Sequence, residues 1–240
     1  MIRILHTADW HLGQTFFGYD RTKEHEAFLD WLLREIRKNE IDALIIAGDV
    51  FDVSNPSAAS QRMYYEFIYR VTAENPGLQI VIVAGNHDSA ARLEAPLPLL
   101  QAMRTEVRGV VRKLNEGEID YDHLAVELKN REGEVEVLCM AVPFLRQGDY
   151  PVVETEGNPY MEGVRELYTQ LLQRLWARRK TNQAILAIGH LQATGSEIAE
   201  KDYSERTVIG GLECVSPDTF SEKIAYTALG HIHKAQRVSG

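Results

Sequence analysis

The chain has 240 residues, 45% apolar and 25% charged, which is the balance of a folded globular domain and excludes a disordered or fibrous chain. Its 26 Lys and Arg stand against 35 Asp and Glu, and the net charge of −9 argues against a simple basic clamp for nucleic acid. Two cysteines imply no disulfide framework, no apolar run nears the roughly 18 residues of a membrane-crossing helix, and the opening residues lack a secretion-signal pattern, so a cytoplasmic protein is expected.

Short apolar runs alternate with helical patterns along the chain. Runs at 2–5, 43–47, 80–84, 135–142, 184–188 and 224–229 have the length and continuity of strands covered on both faces. Helical periodicity predicts helices over 21–38 (Phe28, Leu32, Ile36), 58–73 (Tyr64, Phe67, Ile68, Val71) and 161–179 (Val164, Leu167, Leu171, Leu175). A further helix near 93–103 is interrupted by Pro96 and Pro98. Segments 123–128 and 135–142 flank Asn130-Arg131-Glu132-Gly133 and read as a hairpin, so antiparallel pairing enters a parallel order. Residues 146–160 read as a loop, and the polar stretch 192–222 carries no clear period. With no long linker and no repeat, one α/β domain is expected.

Chemistry collects where the runs stop. They end in Asp9-Trp10-His11, Gly48-Asp49-Val50-Phe51-Asp52, Gly85-Asn86-His87-Asp88, Gly189-His190 and Gly230-His231-Ile232-His233. In open α/β sheets ligands bind outside the carboxyl ends of the strands. Asp-x-His and His-x-His put both side chains on one face of an extended segment. Asp9, His11, Asp49, Asn86, His190, His231 and His233 mix oxygen and imidazole donors, a set that suits Mn, Fe or Zn. Seven donors exceed the needs of one ion and fit two ions about 3.5–4 Å apart, with the Asp49 carboxylate shared between them. One Asp-x-His alone carries little weight, because such pairs arise by chance; five such strand ends in order are not independent accidents.

That ordered set resembles the signature of the calcineurin-like metallophosphoesterases, over essentially the whole chain. The Trp10-His11-Leu12-Gly13 and Val50-Phe51-Asp52 contexts are similar to its bacterial DNA-repair nucleases rather than its protein phosphatases. The phosphatases carry an Arg after the second Asp, where this chain has Val53. The resemblance implies a four-layer fold, with two mixed β-sheets packed together and flanked by helices. It implies one metal on Asp9, His11, Asp49 and His233, and another on Asp49, Asn86, His190 and His231. Mn²⁺ is the expected metal, with Mg²⁺ as the alternative. His87 would stabilise the transition state or protonate the leaving oxygen, acting as the catalytic residue. The implied activity is exonuclease and endonuclease cleavage of DNA ends and hairpins in repair and recombination. The implied partners are DNA, an ATPase subunit and a second copy of the chain, joined through helices near 58–73 and 90–103. By the same resemblance, 1–240 is a nuclease domain whose relatives continue into a DNA-capping domain absent here.

Other residues weigh less. Asp88 either caps the following helix at Ser89 or Ala90, or orients His87. Asp52 either supports a ligand or is a turn residue. Arg92 is a candidate phosphate contact or an ordinary surface arginine. Trp10 and Phe16-Phe17 either meet bases or pack. His6 reads as a core residue, His25 as solvated and His123 as having no partner motif. Arg178, Arg179 and Lys180 complement a helix dipole. The aromatic-rich 58–73 helix is either buried on two sides or part of a dimer. Two rival functions remain: hydrolysis of a small nucleotide or phosphodiester at the same metal site, and a non-catalytic scaffold of the same fold.

Overall fold

A computed structural model describes residues 1–193 and 214–238; most of the polar 192–222 stretch therefore lies outside the described residues. The elements are β1 (Ile4–Thr7), β2 (Thr15–Phe16), β3 (Tyr19–Asp20), α1 (Thr22–Lys38), β4 (Ala43–Ala47), α2 (Ala58–Glu74), β5 (Gln79–Val83), α3 (Ala90–Glu94), α4 (Leu97–Ala102), β6 (Thr105–Arg108), β7 (Ala125–Lys129), β8 (Val135–Ala141), α5 (Pro159–Arg178), β9 (Ala184–His190) and β10 (Tyr226–Gly230).

Two four-stranded sheets form, in the orders β1-β4-β5-β6 and β10-β9-β8-β7. The first is parallel throughout, and only the second is mixed, through the antiparallel β7–β8 hairpin. Alternation along β4 explains the layering. Leu44 and Ile46 face the core under α1 and α2, while Ala43, Ile45 and Ala47 face the other sheet. Ala141, Ile188 and Ala228 meet them from the second sheet, and α5 covers its outer face with Val164, Leu167, Leu171 and Leu175. The order is helices, sheet, sheet, helix, the expected four layers.

Several local expectations change. The 93–103 helix is two short helices, because Pro96 cannot continue the first. α5 starts inside the expected 146–160 loop, where the Asn158 side chain accepts from Tyr160 N at 2.9 Å and Pro159 takes the first turn. The runs gave no sign of β6, or of the two-residue strands β2 and β3. His25 is buried in α1 rather than solvated. His6 is only partly buried, and its Nδ1 lies 3.0 Å from the Tyr226 hydroxyl. His123, which no sequence motif paired, has its Nε2 3.2 Å from Glu94 Oε1. α2 is buried on one side only, through Tyr64, Phe67, Ile68 and Val71, and leaves Tyr69 exposed. Arg178 pairs with Asp122 at 2.8 Å and Arg179 stacks on Trp176, so the basic run is tied into the surface. Among the described residues no helix is long and apolar enough to cross a membrane.

Candidate metal centre

All the strands that deliver the expected donors are parallel, so their carboxyl ends share one edge of the sandwich. Pairing continues past β1 and β4, with His11 N donating to Asp49 O at 3.0 Å and Leu12 N to Val50 O at 2.9 Å. That extension carries Asp9, His11 and Asp49 into the gap between the sheets. Two glycines make the approach possible. A Cβ on Gly48 would overlap the His190 ring, and one on Gly85 would overlap the Asp49 carboxylate.

The seven donors converge. His11 Nε2 lies 3.0 Å from His233 Nε2 and 3.7 Å from Asp49 Oδ2, and His233 Nε2 lies 3.8 Å from Asp9 Oδ1. On the other side of Asp49, its Oδ2 is 3.2 Å from His190 Nε2. Asn86 Oδ1 sits 2.9 Å from His190 Nε2 and 3.1 Å from His231 Nδ1. Two groups form with Asp49 between them. Asp9, His11, Asp49 and His231 all adopt positive φ, at 56°, 46°, 49° and 99°. Each such residue costs roughly 1–3 kcal/mol, and this kind of strain gathers at functional sites.

These donors fit cations. His190 Nδ1 donates to the Ala47 carbonyl at 2.8 Å, which leaves the Nε2 lone pair facing the oxygens of Asn86 and Asp49. The buried Asp49 Oδ2 has no hydrogen-bond donor to accept from. Lone pairs aimed at one another are costly in a buried site unless a proton or a metal ion lies between them. Electrostatics show the same tension. Burial would raise the Asp49 carboxyl, yet His190 and His11 outweigh it and hold it well below the usual range. Burial would lower His190, but Asp49 and Asp9 push it up to about 9. Burial and the neighbouring His190 bring His231 down to about 4. Asp9 is raised by burial despite the surrounding histidines.

The other named residues sort themselves by contact. His87 N donates to Asp49 Oδ1 at 2.9 Å, and its Nδ1 donates to the Asp52 carbonyl at 2.8 Å. Because a carbonyl only accepts, the proton sits on Nδ1 and Nε2 is left available. The His87 and His11 rings meet edge to face at 4.8 Å. Asp52 Oδ1 also lies 3.3 Å from His11 Nδ1, so Asp52 braces two histidines. Asp88 neither caps α3 nor reaches His87. It is buried and accepts from Gly85 N at 2.9 Å, Phe51 N at 3.0 Å and Val50 N at 3.2 Å, which binds two of the donor-bearing turns together. Arg92 is exposed and donates to Asn55 Oδ1. Trp10 is buried against Phe28 and Phe67, so it packs.

Phe144 is a residue that the sequence did not single out. Its ring lies 6.2 Å from that of His190 and 6.5 Å from that of His231, walling one side of the centre. The available signal was position: β8 was the one parallel run whose end had been assigned no residue. On the other side a cleft of about 1810 Å³ opens from Asp9, His11 and His233 toward Phe16 and Phe17.

Two sheets in four layers, with an acidic and imidazole cluster at the strand ends, define a phosphoesterase scaffold, and the chain belongs to the calcineurin-like phosphoesterase family, whose pattern matches residues 2–235. Members of the family bind divalent metal ions. The chain is 39% identical to the SbcD protein of the nuclease SbcCD from Rhodobacter capsulatus, over all of this chain and 60% of that one. It is 33% identical to the protein of the same name from Escherichia coli K12, over all of this chain and 58% of that one. It thus spans about three fifths of the length of the curated relatives it matches. A crystal structure of Pseudomonas putida nuclease MPE aligns with 80% of this chain and 64% of its own, at 14% identity and a TM-score of 0.32, a likeness too slight to carry an argument.

Proposed function

We propose that this chain is the nuclease core of an SbcD-type DNA nuclease, a two-metal phosphodiesterase acting on DNA ends and hairpins in repair and recombination. The observation that carries this reading is the meeting of seven metal-type donors around Asp49 with His87 beside them, in a chain similar along its whole length to SbcD proteins. Asp9, His11, Asp49 and His233 would hold one ion. Asp49, Asn86, His190 and His231 would hold the other. The mixture of imidazole and carboxylate favours Mn²⁺ over Mg²⁺, which prefers an all-oxygen shell. When bound, the ions supply a nucleophile from water near neutral pH and neutralise charge on the phosphate.

The chain's own residues do the rest. Asp49 fixes the spacing of the two donor groups and anchors His87 through its backbone N–H. Asp52 holds His87 by Nδ1–H, so the Nε2 of the imidazolium form faces the site and gives its proton to the departing DNA oxygen as the P–O bond breaks, leaving the neutral Nδ1–H imidazole. Phe144 excludes water from the His190 and His231 side. Arg92 is assigned as a contact to a DNA phosphate. An SbcC-like ATPase is the proposed partner, and the cytoplasm the proposed location. A homodimer through α2 to α4 is proposed because Tyr69 and Leu99 lie exposed there, 66% and 72% respectively.

The test incubates the protein and a His87→Ala variant with Mn²⁺ on end-labelled duplex and single-stranded DNA, and on a small aryl phosphodiester. DNA cleavage that drops about 10²–10⁴-fold in the variant, with Mn²⁺ affinity retained, is the expected result. Turnover of the small ester alone indicates a small-substrate enzyme, and metal binding without any turnover a scaffold.

A further inference from the structure

The β2–β3 hairpin is built against ordinary rules. Phe16 pairs with Tyr19, which leaves Phe17 and Gly18 as the two-residue turn. Both turn residues have positive φ, 48° and 82°, the mirror-image turn that tight hairpins favour. Asn-Gly ordinarily fills it, since Asn tolerates the left-handed region. Phenylalanine there is strained. Nor does packing on the core explain the ring. Phe17 is 81% exposed, Phe16 61% and Tyr19 76%, and Phe17 meets Phe16 edge to face at 4.6 Å. Strain plus an exposed apolar ring opposes folding twice over, so the reason for Phe17 must lie in binding.

The position of the hairpin says what is bound. Phe16 and Phe17 line the same cleft as Asp9, His11 and His233, and Lys234 and Arg237 line it too. A ligand reaching from the donor cluster to the hairpin would put anionic groups by the cations and a flat apolar group by the rings. A nucleotide strand has both in alternation. Its bases stack on aromatic faces whatever their identity, but only when unpaired and splayed out.

We propose that the hairpin tip is a base-stacking platform, on which Phe17, steadied by Phe16, receives an unpaired nucleobase next to the strand held at the metal centre. This rests on the DNA function proposed above and adds to it a preference for frayed or single-stranded ends over flush duplex.

The experiment compares the intact protein with its Phe17→Asn and Phe16→Ser variants. Binding is measured in EDTA on a blunt duplex and on one with a three-base frayed end carrying terminal 2-aminopurine. Wild type should bind the frayed end about tenfold tighter and quench the probe. Both effects should vanish in Phe17→Asn and weaken in Phe16→Ser, while the melting temperature of Phe17→Asn stays level or rises because Asn suits the turn. Retention of preference and quenching in Phe17→Asn would overturn the proposal. So would a lower melting temperature, which would show that the ring serves the fold. A wild type that neither binds these DNAs nor cuts them with Mn²⁺, yet hydrolyses the aryl phosphodiester, would sink the DNA function and this proposal with it.

Discussion

Asp88 shows how a residue beside the chemistry can matter without touching it. One buried carboxylate accepts three backbone N–H groups, from Gly85, Val50 and Phe51. Asp88→Asn would turn an amide donor against one of those donors and leave it unsatisfied. A loss of about 1–3 kcal/mol in urea unfolding is expected, together with weaker Mn²⁺ binding, because the turns carrying Asp49 and Asn86 lose their tie. Glu94 offers a pH test away from the centre. Burial raises its carboxyl, but the bond from His123, the Gly109 N–H and the charge of Arg112 outweigh burial, and the net shift is downward from 4.5. A lowered folded value means that the carboxylate stabilises the protein above pH 4.5 and that this contribution is lost as pH falls through the folded value. Glu94→Gln should therefore be less stable than wild type at about pH 6, with the gap closing toward about pH 3; a gap independent of pH would refute the assignment.

At the scale of elements, α5 carries a glycine whose replacement reverses the usual sign. Gly→Ala inside a helix ordinarily gains about 1 kcal/mol. A Cβ on Gly163 would overlap the Tyr150 ring and sit 2.8 Å from the Pro151 carbonyl. Overpacking of that kind costs about 1–3 kcal/mol, so Gly163→Ala should lower the melting temperature, and it should also loosen the segment leading back to Phe144. Six of the strands with parallel pairing, the long helices and the strand-end residues that gather around Asp49 could be read from the sequence, because continuous apolar runs and helical stripes are local signals. Thr105–Arg108 could not, since Thr-Glu-Val-Arg becomes a strand only by pairing with β5. Nor could the β2–β3 hairpin, whose turn breaks the residue preferences by which hairpins are recognised. Asp88 was misread because a carboxylate before a helix usually caps it, and here distant turns compete for it. His25 was misread because one histidine on a charged helix does not reveal which way it faces.

At the scale of the molecule, each proposed metal draws on both sheets. His233 joins Asp9, His11 and Asp49 across the gap, and His190 and His231 join Asp49 and Asn86. Bound ions would then hold the sandwich together at that edge. At a hundredfold excess over Kd, Mn²⁺ should raise stability by about 2.7 kcal/mol per independent site, and EDTA should return the melting temperature to its metal-free value. An Asp49→Ala variant should show no metal-dependent rise, since Asp49 is common to both groups.

The same geometry has a consequence for synthesis. His11 meets His233, and Asp9 accepts from His231 N, across 222 positions of chain. Nothing made early can complete the centre. At about 5–20 residues per second, a ribosome takes roughly 10–45 s to go from the first donor to the last. A centre assembled in this way stays incomplete until His231 and His233 have been made, and forms only when β10 docks beside β9. A nascent chain stalled before residue 226 would hold Asp9, His11, Asp49 and Asn86 but lack the two histidines that close both proposed metal groups.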